Sequence, residues 1–202
     1  MRTAVKTFGP ADHGRRVSDE DASSARYVEG YRYEIIDGRL YVSPVPNLPE
    51  NWLDQWLHGK LVTYRLRHPD VVAYVSGKAR VFVPSRELTT CPEPDAAVYL
   101  EFPLHLPIEE MRWEDVSPTI VAEVLSESDP FKDTFRNVNL YLEVPSIREY
   151  WILDGQEDAN RPLLVVRRRR GERWLKPREV AYGETYRTPL LPGFKLLIDP
   201  RR

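Results

Sequence analysis

A single cysteine, Cys91, stands among 202 residues. An internal disulfide and a cysteine-built zinc centre are therefore excluded, and the chain suits a reducing compartment. No apolar run approaches the roughly 18 residues that a membrane-spanning helix needs. The opening "MRTAVKTFGPADHGRR" lacks the apolar core of a secretion signal. A cytoplasmic protein with no membrane partner is expected. Charge of one sign is also scarce: 29 Lys and Arg against 31 Asp and Glu leave a formal net charge of −2. That argues against a strongly basic nucleic-acid coat but leaves room for a local basic groove. The histidines, His13, His58, His68 and His105, are scattered without metal-ligand spacing.

What is present is an ordinary soluble composition, 42% apolar and 30% charged, on a length that fits one sizeable core. Residues 1–17 are polar, with Gly and Pro, and read as an N-terminal arm; 18–202 read as a single domain. Ser18 is placed to cap a short helix, with Asp21 three residues on and Gly30 as its stop. In "YRYEIIDGRLYVSP", Asp37-Gly38 separates two β-rich runs, a hairpin signal. "PENWLDQWLHGKLVTYRLRHP" repeats Leu53, Trp56, Leu57, Leu61 and Tyr64 at helical spacing and stops at Pro69.

Further strands are expected at "VVAYVSG", "KARVFVP", "DAAVYLEF", "PTIVAEVL" and "REYWILDG". "DPFKDTFRNVNLYLEV" reads as a helix with Asp129 as N-cap and Pro130 at the first helical position. Its expected apolar stripe is Phe131, Phe135, Val138 and Leu142. A hairpin turning at Arg170-Gly171 and a Pro-Gly turn in "TPLLPGFKLLIDP" complete a β-rich tail. The order of elements predicts a mixed α/β (α+β) domain.

Two carboxylates stand at unusual places. Asp95 opens a strand in "PEPDAAVYL", and Glu123 sits inside the apolar run "PTIVAEVLSESD". Burying Glu123 as an ion is costly unless something compensates it. If the two strands are neighbours, the carboxylates come close, repel, and are reconciled by a divalent cation. Mg²⁺ is typically held by one or two carboxylates, waters and phosphate oxygens. Two plainer readings stand beside this: Glu123 facing solvent, or paired with an arginine. Asp95 by itself is ordinary turn chemistry.

"YEIIDGRLYVSPVP", "PEPDAAVYL", "PTIVAEVLSESD", "YLEVPSIREYWILDG" and "TPLLPGF" occur in this order and spacing. Together they resemble the Uma-two family of putative restriction endonucleases, a branch of the PD-(D/E)XK nuclease superfamily, from about residue 17 to the C-terminus. The resemblance implies a restriction-endonuclease-like core: a central mixed sheet flanked by helices, with an N-terminal hairpin and a β-rich tail. It also implies Mg²⁺, with Mn²⁺ as a substitute, held by Asp95 and Glu123, and a further acidic site residue at Glu34. For Glu34 a hairpin residue paired to a neighbouring cation is an equal alternative.

The sequence departs from that pattern at one place that matters. The lysine expected in D-x-x-x-K-x-x-x-Y is Asn137 in "DTFRNVNLY". Asparagine donates a hydrogen bond but carries no charge, and losing one preorganised donor typically costs roughly 10²–10³ in rate. On an α-helix Arg136 lies about 100° and Lys132 about 140° from Asn137, so both are expected to reach solvent or phosphate. A histidine near the start of the long helix is also missing from "LPENWLD". The run "RRRR" (167–170) reads as a solvated hairpin edge, and Trp52 and Trp56 as core or dimer contacts.

Two functions follow. One is a Mg²⁺-dependent endonuclease hydrolysing DNA phosphodiesters, weakened by Asn137. The other is a catalytically inactive nuclease-fold protein acting in nucleic-acid or protein binding. A scaffold of merely ion-paired carboxylates leaves the matching acidic positions unexplained. A homodimer is compatible with either function.

Overall fold

The structure, a computed structural model, describes residues 5–125 and 130–202. Its strands in chain order are β1 (Thr7–Phe8), β2 (Arg26–Tyr27), β3 (Tyr31–Ile36), β4 (Arg39–Pro44), β5 (Tyr74–Ser76), β6 (Ala96–Tyr99), β7 (Ile120–Val124), β8 (Glu149–Asp154), β9 (Leu163–Arg170), β10 (Arg173–Trp174), β11 (Arg178–Val180), β12 (Thr185–Tyr186) and β13 (Leu196–Leu197). The α-helices are α1 (Asp19–Ser24), α2 (Leu48–Arg67) and α3 (Asn137–Leu142).

Seven strands form one sheet in the order β10-β9-β8-β7-β6-β5, with β11 also lying along β9. β7 and β8 run parallel, and the other neighbours antiparallel. The sheet is therefore mixed, as expected. On one face, Leu53, Leu57, Leu61 and Tyr64 of α2 pack on Ala122, Val124, Trp151 and Leu153. On the other, Val121, Leu125, Tyr150 and Ile152 meet Leu140 and Tyr141 of α3 and Ile36 of the hairpin. Both faces of β7 are covered, which is why its sequence is a near-continuous apolar run.

The β3–β4 hairpin turns on Asp37 (φ 48°) and Gly38 (φ 67°). Two successive positive φ values define the turn that matches strand twist. Alternation along β3 sends Tyr33 and Ile35 into a cluster with Phe8, Val17 and Leu40. Arg32, Glu34 and Ile36 take the opposite side. The bridge between Ile35 and Cys91 ties the hairpin to the chain just before β6.

Several local expectations need correction. Ser18 caps α1, its hydroxyl accepting from the Asp21 N–H at 3.2 Å, but the helix ends at Ser24. Gly30, at φ 88°, instead turns the chain into β3. "KARVFVP" forms no strand. Val81 N–H reaches Pro92 O at 3.0 Å and Val83 N–H reaches Thr90 O at 2.9 Å, but Pro92 has no N–H to close the ladder.

The helical run 130–142 does not present the expected stripe. Its stretch Lys132–Arg136 is a π-helical turn. Phe131 and Phe135 are 62% and 58% exposed and stack on each other at 4.8 Å. The buried side carries Asp133, Asn137, Leu140 and Tyr141. Asp129, the expected cap, lies outside the described residues.

The arginine run is largely turned inward rather than solvated. Arg169 donates to the carbonyls of Tyr141 (3.0 Å), Leu142 (2.7 Å) and Val144 (2.9 Å), satisfying orphan acceptors at the end of α3. Arg168 pairs with buried Glu149 at 3.2 Å. Trp52 and Trp56 donate to the carbonyls of Pro200 (3.2 Å) and Arg202 (3.3 Å), binding the tail to α2.

Candidate active site

The β6–β7 register pairs Ala96 with Ala122 and Ala97 with Val121. Extended by one residue, it sets Asp95 opposite Glu123, on one face of the sheet. Asp95 Oδ2 accepts the Val124 N–H at 2.6 Å, which fixes the carboxylate at the strand end. Asp95 and Glu123 are only 4% and 0% exposed. The solvent-facing reading of Glu123 is thereby excluded.

Glu123 is reached by hydrogen bonds on one oxygen, and the charge of Lys132 offsets part of its burial cost. Its Oε1 accepts from the Tyr141 hydroxyl at 2.7 Å and from Asn137 Nδ2 at 3.0 Å. Its Oε2 is buried without a hydrogen-bond partner among the described residues. Burial, followed by repulsion from Asp133, holds the Glu123 carboxyl well above the usual carboxylate range. Asn137 Nδ2 also donates to Asp133 Oδ1 at 3.0 Å, so one uncharged amide links two carboxylates.

Cations surround this core. Arg32 from β3 is ion-paired with Asp95 and lies 4.0 Å from Asp54 of α2. Arg136 donates to Glu34 at 2.8 Å, and Lys132 Nζ stands 3.7 Å from Glu34 and 3.8 Å from Asp133. Burial opposes ionisation of Glu34, yet Lys132 and Arg136 outweigh it and hold its carboxyl below the ordinary range. Asp133 is pushed up to about 7 by burial, against the offsetting charge of Lys132. Asp54 is also pushed up to about 7, by burial and then by Asp95.

These groups line a cleft of about 490 Å³ that includes Arg32, Glu34, Asp54, Asp95, Lys132 and Asp133. All four residues singled out from the sequence, Glu34, Asp95, Glu123 and Asn137, are buried in this neighbourhood. Glu34 has the cation partners that its alternative reading required.

Of the two courses expected for Lys132 and Arg136, solvent or phosphate, the chain does not adopt the purely solvated one: both pair with Glu34 at the cleft. In the π turn the Asn137 N–H bonds Lys132 O, five residues back, so Lys132 lies one full turn before Asn137. Sequence reasoning also passed over Arg32 and Asp54, and met Asp133 only as the first residue of the D-x-x-x-K-x-x-x-Y pattern. Arg32 and Glu34 share a strand face by alternation, and this was the available signal for Arg32. Asp54 follows buried Leu53, but a charged residue on a long helix reads as solvated.

Among the described residues, no three His, Cys, Asp or Glu side chains converge as a ready-made metal cage. The donor set is instead two facing carboxylates: Asp95 Oδ1 is ion-paired with Arg32, and Glu123 Oε2 makes no hydrogen bond among the described residues. That fits a hard cation that completes its shell with water and phosphate. No helix among the described residues is long and apolar enough to cross a membrane.

Comparison with known proteins agrees with this architecture. A solved structure of a putative nuclease belonging to DUF820 from Anabaena variabilis is 13% identical, with a TM-score of 0.61 over 82% of this chain and 87% of that one. At this identity the likeness is one of fold. No curated protein matches. The profile of Uma2, described as putative restriction endonuclease, matches residues 24–199. That match spans most of the chain, sheet and site included, and the protein belongs to the Uma2 family.

Proposed function

We infer that the protein is a Mg²⁺-dependent endonuclease that hydrolyses DNA phosphodiester bonds, with Asp95 and Glu123 as metal ligands. The observation that carries this reading is the buried Asp95–Glu123 pair, opposed across neighbouring strands, with Glu123 Oε2 making no hydrogen bond among the described residues. A bound Mg²⁺, which Mn²⁺ replaces, would offset their mutual repulsion, lower the pKa of water and neutralise phosphate charge.

The chain's own residues do the rest. Tyr141 and Asn137 orient Glu123 through its other oxygen. The Val124 N–H orients Asp95. Glu34 assists by holding Lys132 and Arg136 at the cleft, where an anionic phosphate is attracted. In the reaction a water oxygen bonds to phosphorus and one ester oxygen leaves. The water gives up a proton to solvent, and the departing oxygen takes one from solvent.

A second reading has its own supporting observation: Asn137 occupies the lysine place and bonds two carboxylates, which suits a protein that binds nucleic acid without cutting it. Plasmid DNA incubated with purified protein and Mg²⁺ or Mn²⁺ separates the two. Nicking that disappears in Asp95→Ala and Glu123→Ala supports the nuclease. Binding without nicking supports the second reading, and cleavage that survives Glu123→Ala removes the proposed site.

A further inference from the structure

We propose that Lys132, turned inward by the π-helical turn, supplies the positive charge that Asn137 lacks and contacts the scissile phosphate. This rests on the nuclease reading above. Three observations carry it. The Asn137 N–H bonds Lys132 O, so the two side chains leave successive turns of one helix. The Lys132 ammonium lies 3.7 Å from Glu34 and 3.8 Å from Asp133, on the same cleft as Asp95. Its side chain is 18% exposed, buried enough to feel the site and open enough to meet a substrate.

The other two cations of the cleft are paired as well. Arg32 is held on Asp95. Arg136 is held by Glu34 at 2.8 Å and by the Asn137 amide oxygen at 3.1 Å. Lys132 transfers no proton in this scheme. It stabilises the negative charge gathering on the non-bridging oxygens as the attacking water adds and the ester oxygen departs. Asn137 then positions Glu123 and Asp133, a task that an uncharged amide performs well.

Plasmid nicking in Mg²⁺ tests this with the wild type, E123A, K132Q, K132R, N137K and the double variant K132Q/N137K, each checked for folding by thermal melting. The expected result is a wild type that cuts, an inert E123A, and a loss of roughly 10²–10³ in K132Q. K132R should retain part of the rate, and K132Q/N137K should recover activity because charge returns one turn along the helix.

K132Q cutting at the wild-type rate overturns the proposal and leaves the nuclease reading intact. A wild type that is inert while N137K cuts overturns the proposal together with the nuclease reading, in favour of the second reading. Inertness of every variant ends both ideas. Should K132Q fail to fold, N137K decides. A rate within about threefold of wild type supports Lys132, and a gain of tenfold or more overturns it.

Discussion

Arg32 sits on the carboxylate of Asp95, with Asp54 4.0 Å from the same guanidinium. A side chain of the hairpin thus holds the place on Asp95 that a divalent cation would contest. Arg32→Met removes that compensation. Breaking a buried ion pair by deleting one partner costs about 3–5 kcal/mol, so the variant should melt lower than wild type. Added Mg²⁺ should then raise its melting temperature more than that of wild type. Equal Mg²⁺ shifts in both proteins would show that Arg32 and the cation do not compete for Asp95.

Stability should fall as pH rises from about 4 to 7 through the site carboxylates. Glu123, Asp133 and Asp54 all have folded pKa values above their ordinary ones. The folded state therefore holds more protons than the unfolded state across that window. Their contribution is complete below the unfolded pKa and is lost as pH climbs through the folded one. Glu123→Gln removes a buried acid whose ionisation burial opposes. It should stabilise the metal-free protein more at pH 8 than at pH 4. Urea unfolding at the two pH values, with a chelator present, measures the difference.

The arginine run should prove unequal residue by residue. Arg169 serves three carbonyls at the end of α3, and Arg170 is exposed. Arg169→Ala should cost about 1–3 kcal/mol, the usual loss when buried acceptors are left unpaired. Arg170→Ala should stay within about 0.5 kcal/mol of wild type. Chemical denaturation of the two variants settles the ranking, and a reversed order would mean that the run acts through its outer face.

Glu149 is the anchor of a second buried polar network. Its carboxylate accepts from Trp151 (2.8 Å), Tyr186 (2.8 Å) and Thr188 (2.8 Å) and faces Arg168 at 3.2 Å. Glu149→Ala strands several donors at once and should destabilise by about 3 kcal/mol or more. Because the network lies on β8 and the tail, nicking measured well below the melting temperature should be preserved. A variant that folds as well as wild type but no longer cuts would tie this network to the site.

The contrast between what could and could not be read from the chain has physical causes. Asp37-Gly38 announces its hairpin because few residue pairs accept two positive φ values in succession. The Asp95–Glu123 pairing is legible because consecutive strands tend to be neighbours, and here β6 and β7 are. "KARVFVP" has strand composition, yet its failure to pair depends on Pro92 in a segment across from it. Phe131 and Phe135 look like core by size and spacing. The helix instead turns Asp133, Asn137 and Tyr141 to its buried side, where Asn137 and Tyr141 donate to Glu123. Periodicity reports where apolar surface could go and is silent about a polar requirement set by another strand.

The five-residue turn at Lys132–Arg136 also bears on how such proteins are compared. A π turn takes up one more residue than the α turn it replaces, so two chains aligned letter by letter through this helix can match in their columns and differ in space. Judged by column 137, this protein has lost its lysine. Judged by location, the Lys132 ammonium stands 3.7 Å from Glu34 and 3.8 Å from Asp133. An alignment column alone would therefore miss a cation that the wider turn brings to the cleft.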